Sequence, residues 1–272
     1  MPAPLDLAAF QELGVFAPGG AAVTALLVLR LTGLVWIAPV FSGRVVPVSV
    51  KTAMVVVFTA LMWPGAVSSS AGASLTMAAV LIELVVGLSL GLGAAIFVGA
   101  AESAGDMLAV QMGLSGANVV DPMSQTQLPV LGQFLGLFAT ALIVSMGGLV
   151  LMVGALAESV AALPLGGPVN LPEGAMAVVQ LGGTLLALGL RFAAPVVAAM
   201  MMSNATLGVL ARTVPQLNVL MVAFPVQIGV GLFVLAGTLP LIATTFASFP
   251  DAYYELSSSL LERFASVAEG GR

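Results

Sequence analysis

Met107–Leu137, MLAVQMGLSGANVVDPMSQTQLPVLGQFLGL, is the stretch that decides how this chain folds. Long apolar runs flank it on both sides, whereas the stretch itself is polar and interrupted. Its polar residues are Gln111, Ser115, Asn118, Asp121, Ser124, Gln125, Thr126, Gln127 and Gln133, and its helix breakers are Gly113, Gly116, Pro122 and Pro129. Such a segment cannot face lipid, because its free backbone N–H and C=O groups would find no hydrogen-bond partners there. It must lie buried in protein, line a water-filled path or form an external loop, and we favour a segment that plugs or lines a path.

The composition of the chain indicates its class. Of the 272 residues, 60% are hydrophobic and 7% are charged, and the mean hydropathy is +1.16. About a quarter of the residues of a soluble domain are charged, so this chain lacks the charge to solubilise its surface. The formal net charge of −5 is dispersed, with no basic run that would indicate a nucleic-acid partner. The chain is therefore predicted to be an integral membrane protein.

The side chains that most catalysis needs are missing from the sequence. There is no cysteine, which excludes thiolate nucleophiles, disulfides and thiol metal ligands. There is no histidine either, which removes the usual general base near neutral pH and the commonest metal ligand. We therefore expect no enzymatic activity, no metal and no cofactor. The N-terminus lacks the basic residues that open a secretory signal, and we expect no cleaved peptide there.

The apolar runs predict an all-α, polytopic membrane protein with about six hydrophobic helical segments. These segments are about Gly19–Ala38, Lys51–Trp63, Leu75–Gly113, Leu131–Leu156, Ala175–Arg212 and the uncharged run between Arg212 and Asp251. At about 1.5 Å per residue, the third would reach close to 60 Å, roughly twice the hydrocarbon thickness of a bilayer. We predict a single helical domain over residues 1–250, followed by an amphipathic tail helix over 251–272 that lies on a surface or on a partner.

Small residues recur every four positions in the third segment, at Gly87, Gly91, Ala95, Gly99 and Ser103. This spacing leaves a shallow groove on one helix face, where another helix can approach closely. We interpret Gly87, Gly91, Ala95 and Gly99 as helix-packing positions, although a chain rich in glycine and alanine also produces such spacing by chance.

Two arginines lie in the middle of apolar runs, at Arg30 and Arg191. A charge at membrane depth costs about 2.5–3.5 kcal/mol on insertion scales, so each is predicted to be a buried charge that faces protein, water or an acidic partner. The carboxylates Glu83, Glu102 and Asp106 share one long segment. They either form a cation or proton relay or mark where the helix leaves the apolar layer, and we favour the second interpretation.

Three blocks of this sequence are similar to one known family. They read RLTGLVWIAPVFSGRVVP from Arg30 to Pro47, QMGLSGANVVDP followed by LPVLGQFL from Gln111 to Leu135, and RFAAPVV, LARTVPQLNV and FPVQ between Arg191 and Gln227. The chain resembles the FliR family of flagellar export-apparatus proteins and, more distantly, the equivalent subunit of virulence type III secretion systems. The blocks extend over most of the chain in the family's order, so together they are specific.

The resemblance implies a structural and gating subunit of the flagellar type III protein-export channel, in the bacterial inner membrane at the flagellar basal body. It also implies that the all-α fold is built of long, kinked helical hairpins. It implies one copy per complex, assembly with P-type and Q-type export-gate subunits, contact with the B-type switch protein, and transit of unfolded flagellar proteins. The loop matching Leu114–Pro129 would be the plug of the closed pore. Its implied plug residues are Leu114, Ser115, Gly116, Asn118, Asp121, Pro122, Met123, Gln125, Gln127 and Pro129.

Two other functions remain open from the residues alone. A secondary transporter for a small solute would use Glu83, Glu102, Asp106 or Arg191 for binding, with the broken segment acting as a discontinuous helix. An internal repeat would favour it, but the only echo is the similarity between the segments at Arg30 and Arg191. An intramembrane enzyme would need an aspartate pair or a Ser–Lys dyad, and Asp106 and Asp121 lack a supporting motif.

Overall fold

The computed structural model describes residues 19–42, 46–70, 72–114, 130–213 and 219–266, and most of these residues lie in helices. Within these ranges there is no strand, which confirms the all-α prediction. The helices are α1 Gly20–Ile37, α2 Pro39–Ser42, α3 Val48–Ser69, α4 Met77–Gln111, α5 Val130–Ser145, α6 Gly148–Ala162, α7 Leu171–Thr213, α8 Val219–Phe246 and α9 Phe249–Ala265.

Five of these helices are long and apolar enough to cross a membrane: α1, α3, α4, α7 and most of α8. The bent pair of α5 and α6 adds a sixth segment if it is taken as one span. The predicted polytopic membrane protein with about six hydrophobic segments is therefore confirmed.

Two boundaries differ from the sequence prediction. The second segment was expected to end at Trp63-Pro64, but α3 continues through Pro64 to Ser69. Beyond the proline, the Ser68 and Ser69 hydroxyls donate to the Gly65 carbonyl and Ala66 is fully buried, so packing outweighs the missing proline N–H. The fourth segment was expected to be one helix, but it is broken into α5 and α6. The break lies at Gly147, whose φ of +76° is a left-handed conformation that glycine adopts without strain.

The contacts within the chain divide it into two compact units. The first comprises Met1–Ala95, Gly147–Leu181 and Pro250–Arg272, and the second comprises Ile96–Met146 and Gly182–Phe249. Each unit is built from segments that are not consecutive in the sequence. The division into residues 1–250 and a tail over 251–272 follows hydropathy rather than contacts, and it stays a prediction.

The first unit buries the apolar face of α1 together with that of the tail helix α9. Leu26, Leu27 and Leu31 of α1 are fully buried, and the indole Nε1 of Trp63 in α3 donates to Thr24 Oγ1 at 2.9 Å. The described part of the tail packs on its own chain. The Tyr253 hydroxyl donates to the Leu90 carbonyl at 3.3 Å, and the backbone N–H of Asn170 donates to the Phe264 carbonyl at 2.8 Å.

The second unit has an aromatic core. The rings of Phe97 and Phe249 meet edge to face with centroids 5.0 Å apart, and those of Phe192 and Phe246 stack at 5.7 Å. Aromatic pairs at these separations contribute about 0.5–1.5 kcal/mol beyond the burial of their area. This core ties α4 to α7 and to the end of α8.

Candidate functional site

Arg30 lies fully buried in the first unit, and each of its guanidinium nitrogens donates a hydrogen bond. Nε donates to Glu83 Oε2 at 2.5 Å. Nη1 donates to the carbonyl of Ser159 at 2.8 Å and to its hydroxyl at 3.2 Å, and Nη2 donates to the Leu163 carbonyl at 3.0 Å. A charge buried in apolar surroundings is tolerated when its donors are satisfied in this way.

Glu83 extends this cluster to the connector that follows α6. Its second carboxylate oxygen, Oε1, accepts a hydrogen bond from the Gly166 backbone N–H at 2.9 Å. The next N–H along, that of Leu165, donates to the Ser70 hydroxyl at 2.9 Å. We interpreted Glu83 as a marker of the membrane boundary. In the structure its carboxylate is instead buried and paired with Arg30. Sequence reasoning missed the pair because the two residues lie 53 positions apart.

A crossing of glycines holds α1 against α4 beside the ion pair. A Cβ atom added to Gly87 would overlap the Arg30 carbonyl, and one added to Gly91 would lie 2.9 Å from the Leu34 carbonyl oxygen. From the other helix, a Cβ on Gly33 would lie 2.7 Å from the Leu88 backbone nitrogen. The helix that approaches the small-residue face at Gly87 and Gly91 is therefore α1 of the same chain. Gly33 was not singled out from the sequence, since a single glycine in an apolar run carries no periodic signal.

The remaining small residues of that face have different surroundings. Ala95 is half-buried. Gly99 lies in the second unit, where an added Cβ would be 3.2 Å from Leu185 Cδ1 of α7. Gly87 and Gly91 thus lie against α1, whereas Gly99 lies against α7.

In the second unit, α4 and α5 form a tightly packed antiparallel hairpin. A Cβ on Gly105 would lie 2.5 Å from the Leu131 carbonyl oxygen, so the two backbones touch there. Gly132 packs against the Asp106 carboxylate and Gly136 against the Glu102 carboxylate. Both carboxylates lie on one face of α4, as their spacing predicts, and both residues are exposed on the single chain.

Arg191 lies on the surface of the second unit, at the edge of a groove between α7 and α8. Within the described part of the chain its guanidinium group makes neither a hydrogen bond nor an ion pair. The structure therefore treats the two arginines differently, and burial of Arg191 stays a prediction that requires another chain.

Nine of the ten implied plug residues lie within 115–129, outside the described residues, and only Leu114 falls inside them. The base of this segment is held firmly. Gly113 ends α4 with a φ of +72°, and an added Cβ there would lie 3.2 Å from Gln227 Oε1 of α8. Gln227 in turn donates from Nε2 to Asn204 Oδ1 of α7 at 2.7 Å. The polar contact between Gln227 and Asn204 was missed from the sequence, although Gln227 closes the FPVQ block.

Other kinds of site are not evident in the described parts of the chain. No group of three acidic, histidine or cysteine side chains in these ranges is arranged to hold a metal ion. A groove of about 450 Å³ in the first unit is lined by apolar and small residues such as Leu61, Ala66 and Ala161. Glu83, a candidate ligand of the transporter interpretation, is already paired with Arg30.

The fold and site define a class of protein: a polytopic helical membrane protein whose described residues include one arginine neutralised inside the chain and further charges left on an apolar surface. Residues 21–252 match the family of bacterial export proteins, family 1. The chain belongs to this family and to its FliR branch, as the sequence blocks predicted.

Several curated relatives support this placement. The flagellar biosynthetic protein FliR of Pectobacterium carotovorum subsp. carotovorum is 30% identical over 244 residues, which cover 88% of this chain and 92% of that protein. FliR of Escherichia coli (strain K12) is 31% identical over 218 residues, covering 79% and 83%. The surface presentation of antigens protein SpaR of Salmonella typhimurium is 27% identical over 222 residues, covering 79% and 81%.

Proposed function

We propose that this protein is a structural and gating subunit of the flagellar type III protein-export channel in the bacterial inner membrane, without enzymatic activity. The names of its FliR relatives support a part in flagellar biosynthesis, and the name of its family supports protein export. The five long apolar helices support a place in a membrane. In this function the chain positions and closes a path for unfolded flagellar proteins.

The observation that carries the gating proposal is the geometry at the base of the segment that joins α4 to α5. The polar, glycine- and proline-broken segment 114–129 joins two helices whose backbones are in contact at Gly105 and Leu131. The chain just before this segment lies on α8, because Met112 is fully buried and packs against Gly231. A segment with a rigid base and several bend points is suited to close a pore and to move aside when a polypeptide arrives.

The proposed partners are the P-type and Q-type export-gate subunits and the B-type switch protein, with one copy of this chain in the complex. The surface of the second unit is suited to such contacts. Large apolar side chains are exposed along α7 and α8, and this group includes Leu186, Met202, Val209 and Phe233. Lipid tails can also cover such apolar faces, but the charge of Arg191 beside them favours a protein or water neighbour over lipid.

Deletion of Gly116–Thr126 tests the plug in the assembled complex. We expect the complex to form, because the deletion leaves the contacts of Gly113 and of the α4/α5 crossing in place. The membrane should then leak ions or small solutes, measured as dye efflux from vesicles that carry the purified complex.

The matched control replaces Gly116–Thr126 with a glycine-serine segment of equal length. It keeps the connection between α4 and α5 but removes the apolar side chains that would seal a pore. We expect it to leak as well. If both variants hold the dye and export flagellar proteins normally, the segment is only a connector and the gating proposal is wrong.

Co-purification tests the place of the chain in the apparatus. Isolated in mild detergent, the wild-type protein should emerge in a discrete large complex with two small hydrophobic proteins. A monodisperse monomer with solute-dependent fluorescence changes would instead support a secondary transporter.

A further inference from the structure

We propose that the groove between α7 and α8 around Arg191 docks a helix of a partner chain, which brings an aspartate or glutamate carboxylate to the guanidinium group. This inference rests on the proposed function, because that function supplies partner chains within the membrane. It adds which face of this chain they use there and which chemical group they must bring.

Arg191 has no counterion among the described residues. Arg191 lies near the middle of α7, and across the described residues no carboxylate or carbonyl accepts a hydrogen bond from it. The neighbouring helix α8 has no charged residue along its whole length, so it has no counterion to offer. A membrane helix that exposes an unpaired cation is unfavourable by a few kcal/mol, and this free energy favours any assembly that neutralises the charge.

The groove between α7 and α8 is mostly apolar and contains one cation, Arg191. It has a volume of about 210 Å³ and includes Arg191 and Pro195 from α7 and Thr238, Leu241 and Thr245 from α8. The two threonine hydroxyls donate to backbone carbonyls of their own helix, at 2.9 and 3.0 Å. Arg191 is therefore the strong hydrogen-bond donor with which this groove can bind a group of another molecule. A mostly apolar groove with one planar, bidentate cation matches an apolar helix that carries one carboxylate.

The position of Arg191 far from either charged end of α7 favours a protein partner over a lipid. Arg191 is flanked by uncharged sequence back to Glu173 and forward to Arg212. At about 1.5 Å per residue, at least about 27 Å of helix separates it from the nearest charge of α7 on either side. A lipid phosphate is confined to the membrane surface, whereas a side chain of a neighbouring helix can meet the arginine at any depth. Charge complementarity therefore favours a protein carboxylate.

The test uses the purified complex and a variant that converts the arginine into a reactive amine. Arg191→Lys keeps the positive charge, and a carbodiimide then couples a lysine amine to a carboxylate in direct contact, forming an amide. We expect a covalent product between this chain and a partner chain, with the joined peptides identified by mass spectrometry. Arg212→Lys is the matched control, since Arg212 is also exposed and lies in the last turn of the same helix.

A second variant measures the contribution of the pair to assembly. Arg191→Leu leaves the partner carboxylate buried and unpaired, so the assembled fraction should fall about tenfold or more, while Arg212→Leu should have little effect. A lysine-to-partner amide formed from position 191 but not from position 212, together with this loss, supports the proposal.

Three results overturn it. The first is that Arg191→Lys gives no covalent product with a partner chain. The second is that the lysine couples to a carboxylate of its own chain, for example that of Asp121. The third is normal assembly of Arg191→Leu combined with loss of co-purifying anionic lipid, which would assign the groove to a phosphate. None of these results affects the proposed function, because co-purification of the wild-type chain with its partners tests that function separately.

Discussion

The two units of this chain treat a membrane-depth arginine in opposite ways. In the first unit, Arg30 is fully buried and its donors are taken up by Glu83, Ser159 and Leu163. In the second unit, Arg191 is exposed and makes no ion pair within the described chain. The difference teaches that the first unit neutralises its arginine by itself, whereas the second leaves its arginine exposed and without a counterion among the described residues.

The carboxylates repeat this contrast. Glu83 is 1% exposed and bonds to both Arg30 and Gly166. Glu102 and Asp106 also pack closely, but against the glycines of α5, and they remain exposed. The same residue types on one long helix therefore stabilise the fold at one end and remain available at the other.

The largest expected effect breaks the self-sufficiency of the first unit. Glu83→Leu leaves Arg30 buried without its counterion, which typically destabilises a protein by about 3–5 kcal/mol. We expect a large fall in the unfolding midpoint of the detergent-solubilised protein and low accumulation in the membrane.

The control for this prediction is the double variant Arg30→Leu/Glu83→Leu. Replacement of a buried pair by apolar residues is often close to neutral, so the double variant should recover much of the lost stability. If Glu83→Leu is as stable as the double variant, the pair does not hold the first unit together.

An intermediate effect is expected at the glycine crossing. Gly87→Ala forces a methyl group onto the Arg30 carbonyl, and overpacking of this kind costs about 1–3 kcal/mol. Gly91→Leu should act in the same way, so both are expected to lower the stability of the chain itself before they affect assembly. Thermal unfolding in detergent measures this.

The matched control lies in the same unit, at Gly154 of α6, where an added Cβ would meet no atom within 4 Å. Gly154→Ala should be neutral or stabilising by up to about 1 kcal/mol, because alanine favours helix over glycine. Equal losses for Gly87→Ala and Gly154→Ala would show that the contact between α1 and α4 is not tight.

The smallest effect sharpens the comparison from the side of the second unit. Glu102→Gln and Asp106→Asn remove exposed charges that lie one helical turn apart on α4, and exposed pairs change stability by only about 0.5 kcal/mol. We expect the unfolding midpoint of the solubilised chain to change little. A loss as large as that of Glu83→Leu would contradict the contrast between the two units.

The class and family of this protein were readable without coordinates. Hydropathy predicted an all-α membrane protein of about six apolar segments, and the blocks around Arg30, Gln111 and Arg191 identified the family. These signals are local, since each depends on residues that lie next to one another in the chain.

The site was predictable only in part. The sequence indicated that Arg30 needs a partner and that Gly87 and Gly91 meet a helix, but it named neither Glu83 nor α1. It also predicted a helix end at Pro64 and an unbroken helix through Gly147, and both were wrong. At these positions tertiary packing outweighed the local preference of a proline and of a long apolar run.

The sequence by itself determined that this chain is a helical membrane protein with about six apolar segments, because these features depend on transfer free energy and periodicity. Only the tertiary structure decided which arginine is satisfied within the chain. The bond between Arg30 and Glu83 forms because close contact of Gly33 with Gly87 brings α1 and α4 together. Such contact depends on the distance between two backbones, which no local pattern of residues records.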